Sequence, residues 1–238
     1  MITAYKHVFA RIEKKYLITR DQLGALLPVL NAHMHGDKYG LSTVSSMYFD
    51  TPDMRIIRAS IEATRRGYKE KLRLRCYGTP SADTPAFVEL KKKYLGTVYK
   101  RRFEMPYEEA LAFLTGRAEA PDTQMGREVA YVLDLYPGIR PMIDIFCDRL
   151  ALFGNDDEEL RVTFDSTPRY RMTDLDLRNG SEGRSLLEDD LLIMEIKSPG
   201  AMPLWLTELL DENGVYPQKF SKYAAAFNIE LRERLGLK

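Results

Sequence analysis

On four strand-like runs of this chain a carboxylate stands two residues from a cation: Glu13/Lys15, Glu89/Lys91, Arg102/Glu104 and Glu195/Lys197. A further run, KLRLR, spaces Lys71, Arg73 and Arg75 in the same way without an acid. In an extended strand that spacing sends each group to one face. Arg offers forked donors that suit phosphate oxygens, and Lys a compact charge. Carboxylates beside a phosphate-bound hard cation are the usual Mg2+ or Mn2+ arrangement. The residue types therefore point to a polyphosphorylated anion. Each pattern alone is also what the wet outer side of an amphipathic strand looks like.

The wider charge balance sharpens this. The 238 residues carry 35 Lys+Arg and 35 Asp+Glu, a formal net charge of zero. Zero net charge argues against a general nucleic-acid or membrane-surface binder, which needs a basic excess. Between Arg55 and Arg102, however, 14 basic residues face 4 acidic ones, a local excess of +10 that the rest of the chain must balance. A neutral protein with one concentrated cationic segment fits a compact anionic ligand. At 45% hydrophobic the chain can build a core. Cys76 and Cys147 lack metal-type spacing and read as free thiols in a reducing cytoplasm. No apolar run approaches a membrane span.

The elements that must position these groups are mostly strands. Strand patterns cover residues 7–18, 41–50, 67–77, 86–95, 97–107, 141–153, 160–172 and 190–198, with Gly96 marking a tight hairpin. Helices are expected from Thr19 or Asp21 to about Ala32, and over 53–63, 107–116, 124–135, 203–213 and 221–235. Eight strands without βαβ alternation predict an α+β fold, an antiparallel sheet or barrel with peripheral helices. Residues 1–238 read as one domain. Alternation groups Glu89, Lys91 and Lys93 on one face, Lys100, Arg102 and Glu104 on another, and Arg161, Thr163 and Asp165 on a third. The first strand aligns Arg11, Glu13 and Lys15, and the last Glu195 and Lys197.

In this order, ExK at Glu13–Lys15, YFDTPD at Tyr48–Asp53, KLRLR at Lys71–Arg75, ELK at Glu89–Lys91, KRRF at Lys100–Phe103, MEIK at Met194–Lys197 and KFSKY at Lys219–Tyr223 form a specific set. It resembles the catalytic domain of the vacuolar transporter chaperone (VTC) polyphosphate polymerases, within the triphosphate tunnel metalloenzymes, from about residue 5 to 230. The resemblance implies an antiparallel eight-stranded β-tunnel, a closed barrel with peripheral helices. The resemblance implies that Lys15, Arg73, Arg75, Lys91, Lys100, Arg149 and Arg161 are phosphate-binding cations. Lys219, Ser221 and Lys222 match a phosphate-contacting segment, and Arg102 and Lys197 share the inward parity. Glu195 resembles the metal-binding carboxylate for Mn2+ or Mg2+, with Glu13 and Glu89 as further candidates for metal or water-mediated contacts.

The implied activity is transfer of the γ-phosphoryl group of ATP to a growing polyphosphate chain. The alternatives are a tunnel triphosphatase or polyphosphatase, and a non-catalytic polyphosphate or RNA binder. Lys14–Lys15 stands where many tunnel hydrolases carry ExExK, and the missing second glutamate speaks against a simple hydrolase. The partners expected are nucleoside triphosphate and polyphosphate, with no nucleic acid. The location expected is the cytoplasm, with recruitment by a membrane protein that this chain does not encode. His33 and His35 are expected to serve the surface, and Trp205 to anchor a helix. Tyr68, Tyr77, Tyr94 and Tyr99 are expected to pack between strands and helices.

Overall fold

The computed structural model describes residues 12–62, 67–95 and 97–236. In chain order its elements begin with β1 (Ile12–Thr19), α1 (Arg20–His33), β2 (Met34–Gly36), β3 (Ser42–Asp50), α2 (Arg55–Glu62), β4 (Tyr68–Tyr77), β5 (Pro85–Tyr94) and β6 (Thr97–Pro106). There follow α3 (Tyr107–Leu114), α4 (Gln124–Leu135), β7 (Arg140–Gly154), β8 (Arg161–Arg171), β9 (Arg184–Ser185), β10 (Leu191–Ser198), α5 (Leu204–Glu212) and α6 (Lys222–Arg234). The long strands and the helices fall within two residues of the positions read from the sequence. The exception is the start of the first strand: residues 7–11, Arg11 among them, lie outside the described residues, as does Gly96. The short β2 and β9 were not foreseen.

Hydrogen-bonded neighbours follow the order β1-β10-β8-β7-β3-β4-β5-β6, with β2 on β7 and β9 on β8. The result is a large antiparallel sheet with six helices. Among the described residues β1 and β6 end the ladder unpaired with each other, so hydrogen bonds do not close the expected barrel. No described helix is long and apolar enough to cross a membrane.

The chain divides into two compact units. One holds the described residues up to Ser42 with Asp148–Thr167 and Leu187–Phe220; the other holds Thr43–Cys147, Pro168–Leu186 and the residues from Ser221 on. In the second unit, alternation sends Leu72, Leu74 and Cys76 of β4 and Ala86, Val88 and Leu90 of β5 into one cluster. Tyr107, Ala110 and Phe113 of α3 and Val129 and Val132 of α4 cover that face. In the first unit, Tyr16 and Ile18 of β1, Val162 and Phe164 of β8, and Met194 and Ile196 of β10 pack with Leu26 and Leu30 of α1 and Leu206 and Leu209 of α5. In each unit the helices occupy the apolar side of the strands, which leaves the alternate residues to the other side.

Local signals fix the helix starts. Thr19 caps α1 in a capping box: its hydroxyl accepts from the Gln22 N–H at 3.1 Å, while its own N–H donates to Gln22 Oε1 at 3.0 Å. Asp50, fully buried, accepts from the backbone N–H groups of Thr51, Ile56 and Ile57 at 2.8–2.9 Å, satisfying the first turn of α2. It also accepts from the Tyr223 hydroxyl at 2.6 Å, which fastens the start of α6 to the end of β3. His33 stacks on Trp205 at 4.2 Å, in keeping with the anchoring role expected of that tryptophan.

The four tyrosines do not pack as expected; they are exposed, from 38% for Tyr68 to 53% for Tyr99. Tyr68 and Tyr77 are the end residues of β4 and Tyr94 that of β5, and Tyr99 lies on the terminal strand of the ladder. Leu72→Ala should cost about 2–5 kcal/mol by urea unfolding, because a fully buried side chain leaves a cavity. Tyr99→Ala should change stability by no more than about 0.5 kcal/mol.

Candidate functional site

Strand register gathers the charged residues of the second unit into rows. β3–β4, β4–β5 and β5–β6 place Tyr48, Arg73, Glu89 and Arg102 side by side, one from each strand. One row along lie Lys71, Lys91 and Lys100; on the other side lie Ser46, Arg75, Phe87 and Glu104. Directly opposed residues on adjacent strands point to the same face. The expected parity of KLRLR, ELK and KRRF is therefore a single cationic face.

Glu89 organises it. Its side chain is only 2% exposed and lies 2.5 Å from Arg73, 3.0 Å from Lys100, 3.8 Å from Arg102 and 4.0 Å from Arg75. Burial alone would raise its pKa, but Arg73, Arg75 and Lys100 outweigh that and hold it down at about 2. Desolvation and the nearby arginines in turn lower the pKa of Lys100 against the pull of Glu89. Tyr48 accepts a hydrogen bond from Arg73 Nη1 at 3.1 Å. Burial raises the pKa of this phenol, but Arg73, Lys71 and Arg75 bring it down to about 7. Arg75 Nε donates to Ser46 Oγ at 3.1 Å.

Ser221, just before the last helix, reaches this face. Ser221 caps α6, its Oγ accepting from the Ala224 N–H at 3.3 Å, and accepts from Lys71 Nζ at 2.7 Å. A helix N-terminus beside lysines is a ready place for a phosphate oxygen. Lys222 begins the same helix.

The first unit carries its own charged rows. Lys15, Glu195 and Thr163 stand side by side on β1, β10 and β8, and Glu13, Lys197 and Arg161 form the next row. Glu195 pairs with Lys197 and lies 3.6 Å from Lys15. Burial would raise its pKa, but Lys197 and Lys15 hold it at about 2. Arg149 makes a two-pronged bond to buried Asp165, at 2.6 and 2.8 Å. Arg161 is exposed, with its guanidinium 4.8 Å from the centre of the Phe153 ring. Glu13 and Lys219 are exposed as well.

The donor sets differ in their fit to a metal. No group of three or more His, Cys, Asp or Glu that could cage an ion occurs among the described residues. Mg2+ and Mn2+ need no such cage, since one or two carboxylates with substrate phosphate oxygens suffice. Glu195 fits that role: it is ionised at neutral pH and stands opposite Thr163, whose buried Oγ1 has no hydrogen-bond partner. Glu89 is committed to four cations, which leaves less for an ion.

Sequence reasoning missed Tyr48, Ser46 and Asp165 as site neighbours. Asp165 shares a parity set with Arg161, but its bond to Arg149 depends on tertiary placement. Tyr48 lies in a strand buried on both faces, where alternation gives no signal.

An antiparallel sheet presenting rows of Lys and Arg around isolated carboxylates suits an anionic ligand. The VTC domain family matches residues 10–230, and the chain belongs to it. The fold is shared with a candidate adenylate cyclase from Bacillus halodurans, at TM-score 0.55 and 14% identity over 89% of this chain and 93% of that one. It is also shared with a candidate adenylyl cyclase from Hippeastrum with a dominant triphosphatase activity, at TM-score 0.53 and 15% identity over 96% of this chain and 97% of that one. No curated protein matches the sequence.

Glu89 gives the site a pH signature. A carboxyl held at about 2 in the fold and near its usual value when unfolded stabilises the protein above pH ~4.5, and this is lost as pH falls toward about 2. Glu89→Gln should lower the melting temperature at pH 7, with the gap to wild type narrowing between pH 4.5 and 2. A gap independent of pH would show that the carboxylate charge is not what holds the cations.

Proposed function

We propose that this protein is a metal-dependent polyphosphate polymerase, transferring the γ-phosphoryl group of ATP to the end of an inorganic polyphosphate chain. The observation that carries the reading is the register of β3–β6, which aligns cations from three strands around one buried carboxylate. Membership of the VTC domain family supports it.

In this reaction a terminal phosphate oxygen of the polymer bonds to the γ-phosphorus. The bond from that phosphorus to the β–γ bridging oxygen breaks, and ADP leaves. The attacking oxygen is already anionic, so no protein base has to take a proton. What remains is alignment and charge neutralisation. Arg73, Arg75, Lys91, Lys100 and Arg102 hold phosphates on one face, with Glu89 keeping the side chains extended and ordered. Lys15, Arg149, Arg161 and Lys197 bind phosphate in the other unit, and Lys219, Ser221 and Lys222 contact it before and at the start of α6. Glu195 would hold Mn2+ or Mg2+ together with phosphate oxygens, with Glu13 nearby; when bound, the ion offsets charge on the transferred group. The proposal includes a cytoplasmic setting beside a membrane partner.

The triphosphatase activity of the Hippeastrum protein supports a second reading, hydrolysis on the same scaffold. Incubating the purified chain with ATP and Mn2+ separates the two. A ladder of polymer on a gel is expected; free phosphate without polymer would establish the hydrolase, and neither product would overturn both. Arg73→Ala and Lys91→Ala should each reduce turnover at least 100-fold with circular dichroism unchanged, and near-normal rates in both would sink the site. Glu195→Gln should reduce metal-dependent turnover by a similar factor while polyphosphate binding falls less than tenfold.

A further inference from the structure

The cationic face of the second unit is graded. Its rows carry formal charges of +3 (Lys71, Lys91, Lys100), +1 (Arg73, Glu89, Arg102) and zero (Arg75, Glu104) in succession along the strands. The neutral row holds the one aromatic residue that β5 turns to this face, Phe87, between Arg75 and Glu104. Tyr77 meets the Phe87 ring edge-on, centroids 5.9 Å apart, and shares the parity of Arg73 and Arg75. Arg102 reaches over from the neighbouring row and lies over Phe87, 3.6 Å from the ring centre. Its side chain remains 35% exposed.

Successive rows are roughly 7 Å apart, twice the strand rise. A nucleoside triphosphate has the same polarity: charge concentrated at the γ end and an uncharged base at the other, one ribose away. Guanidinium planes stack on aromatic faces, and a base supplies such a face to the outer side of Arg102. Phe87 holds the guanidinium flat from beneath, while its N–H edges stay available to the α-phosphate.

We propose that Phe87, Arg102 and Tyr77 form a nucleobase subsite, with the base stacked on the Phe87-supported Arg102 guanidinium and the triphosphate running toward Lys91 and Lys100. This rests on the reading of the face as a triphosphate site and adds to it a preference for nucleotides and a direction of binding. A passive solvated sheet face has no reason to gather Phe87 and Tyr77 under an arginine at the neutral end of a charge gradient.

Calorimetric titration tests this with two probes of equal charge, the β,γ-imido analogue of ATP and methyl triphosphate, each with Mg2+. Stacking predicts about tenfold tighter binding of the nucleotide analogue. Phe87→Ala should abolish that advantage and leave methyl triphosphate binding within twofold. If Phe87→Ala loses both ligands, Phe87→Leu, which keeps bulk but removes the π face, should lose the nucleotide advantage alone. Equal binding of the two probes by wild type would overturn the subsite while leaving the phosphate site standing. An advantage that survives both substitutions would place the base elsewhere. Failure of wild type to bind either probe would overturn the phosphate reading and the subsite with it.

Discussion

One buried carboxylate makes the charged face of the second unit possible. Arginines and lysines on adjacent strands repel one another, and directly opposed like charges destabilise a sheet. Glu89 lies among four of them, close enough to Arg73 and Lys100 for charge-assisted hydrogen bonds. Four cations around one anion still leave three charges in excess, so the site is held together without being neutralised. A fully compensated face would fold more easily and bind phosphate less well. The row of Lys71, Lys91 and Lys100 sets three cations on adjacent strands.

A second constraint ties together two sequence motifs that look unrelated on the page. The aspartate of YFDTPD and the tyrosine of KFSKY bond to each other through Asp50 and Tyr223. Asp50 also satisfies the opening turn of α2, so its position is set by three backbone donors before the tyrosine arrives. Tyr223 is two residues past Ser221, and fixing it brings the Ser221 hydroxyl to Lys71. The tyrosine's own ionisation is suppressed by burial and by the Asp50 charge, so it remains a donor at any working pH. Neither residue needs to reach the charged face for the motif to matter: they place Ser221, which bonds to Lys71 there.

Much of this was legible in the sequence because most strands are covered by helices on one side only. Leu72, Leu74 and Cys76 alternate with Lys71, Arg73 and Arg75, and period two is enough to separate the faces. Thr19, one of the two caps the sequence offers, marks the start of α1. Register was not legible: nothing in ELK or KRRF says that Glu89 stands opposite both Arg73 and Arg102. Nor could alternation find Tyr48, in a strand whose two faces are both buried. The exposed tyrosines show a related limit. Their types suit packing, but the helices end before the strands do.

The zero net charge of the chain acquires a local explanation. The +10 segment from Arg55 to Arg102 does not spread over the surface; much of it is drawn by register onto one sheet face around Glu89. The first unit solves the same problem differently. There Asp165 neutralises Arg149 outright, and Glu195 is shared between Lys15 and Lys197. One carboxylate between two amines leaves a modest positive balance and an ionised oxygen that a divalent ion can compete for.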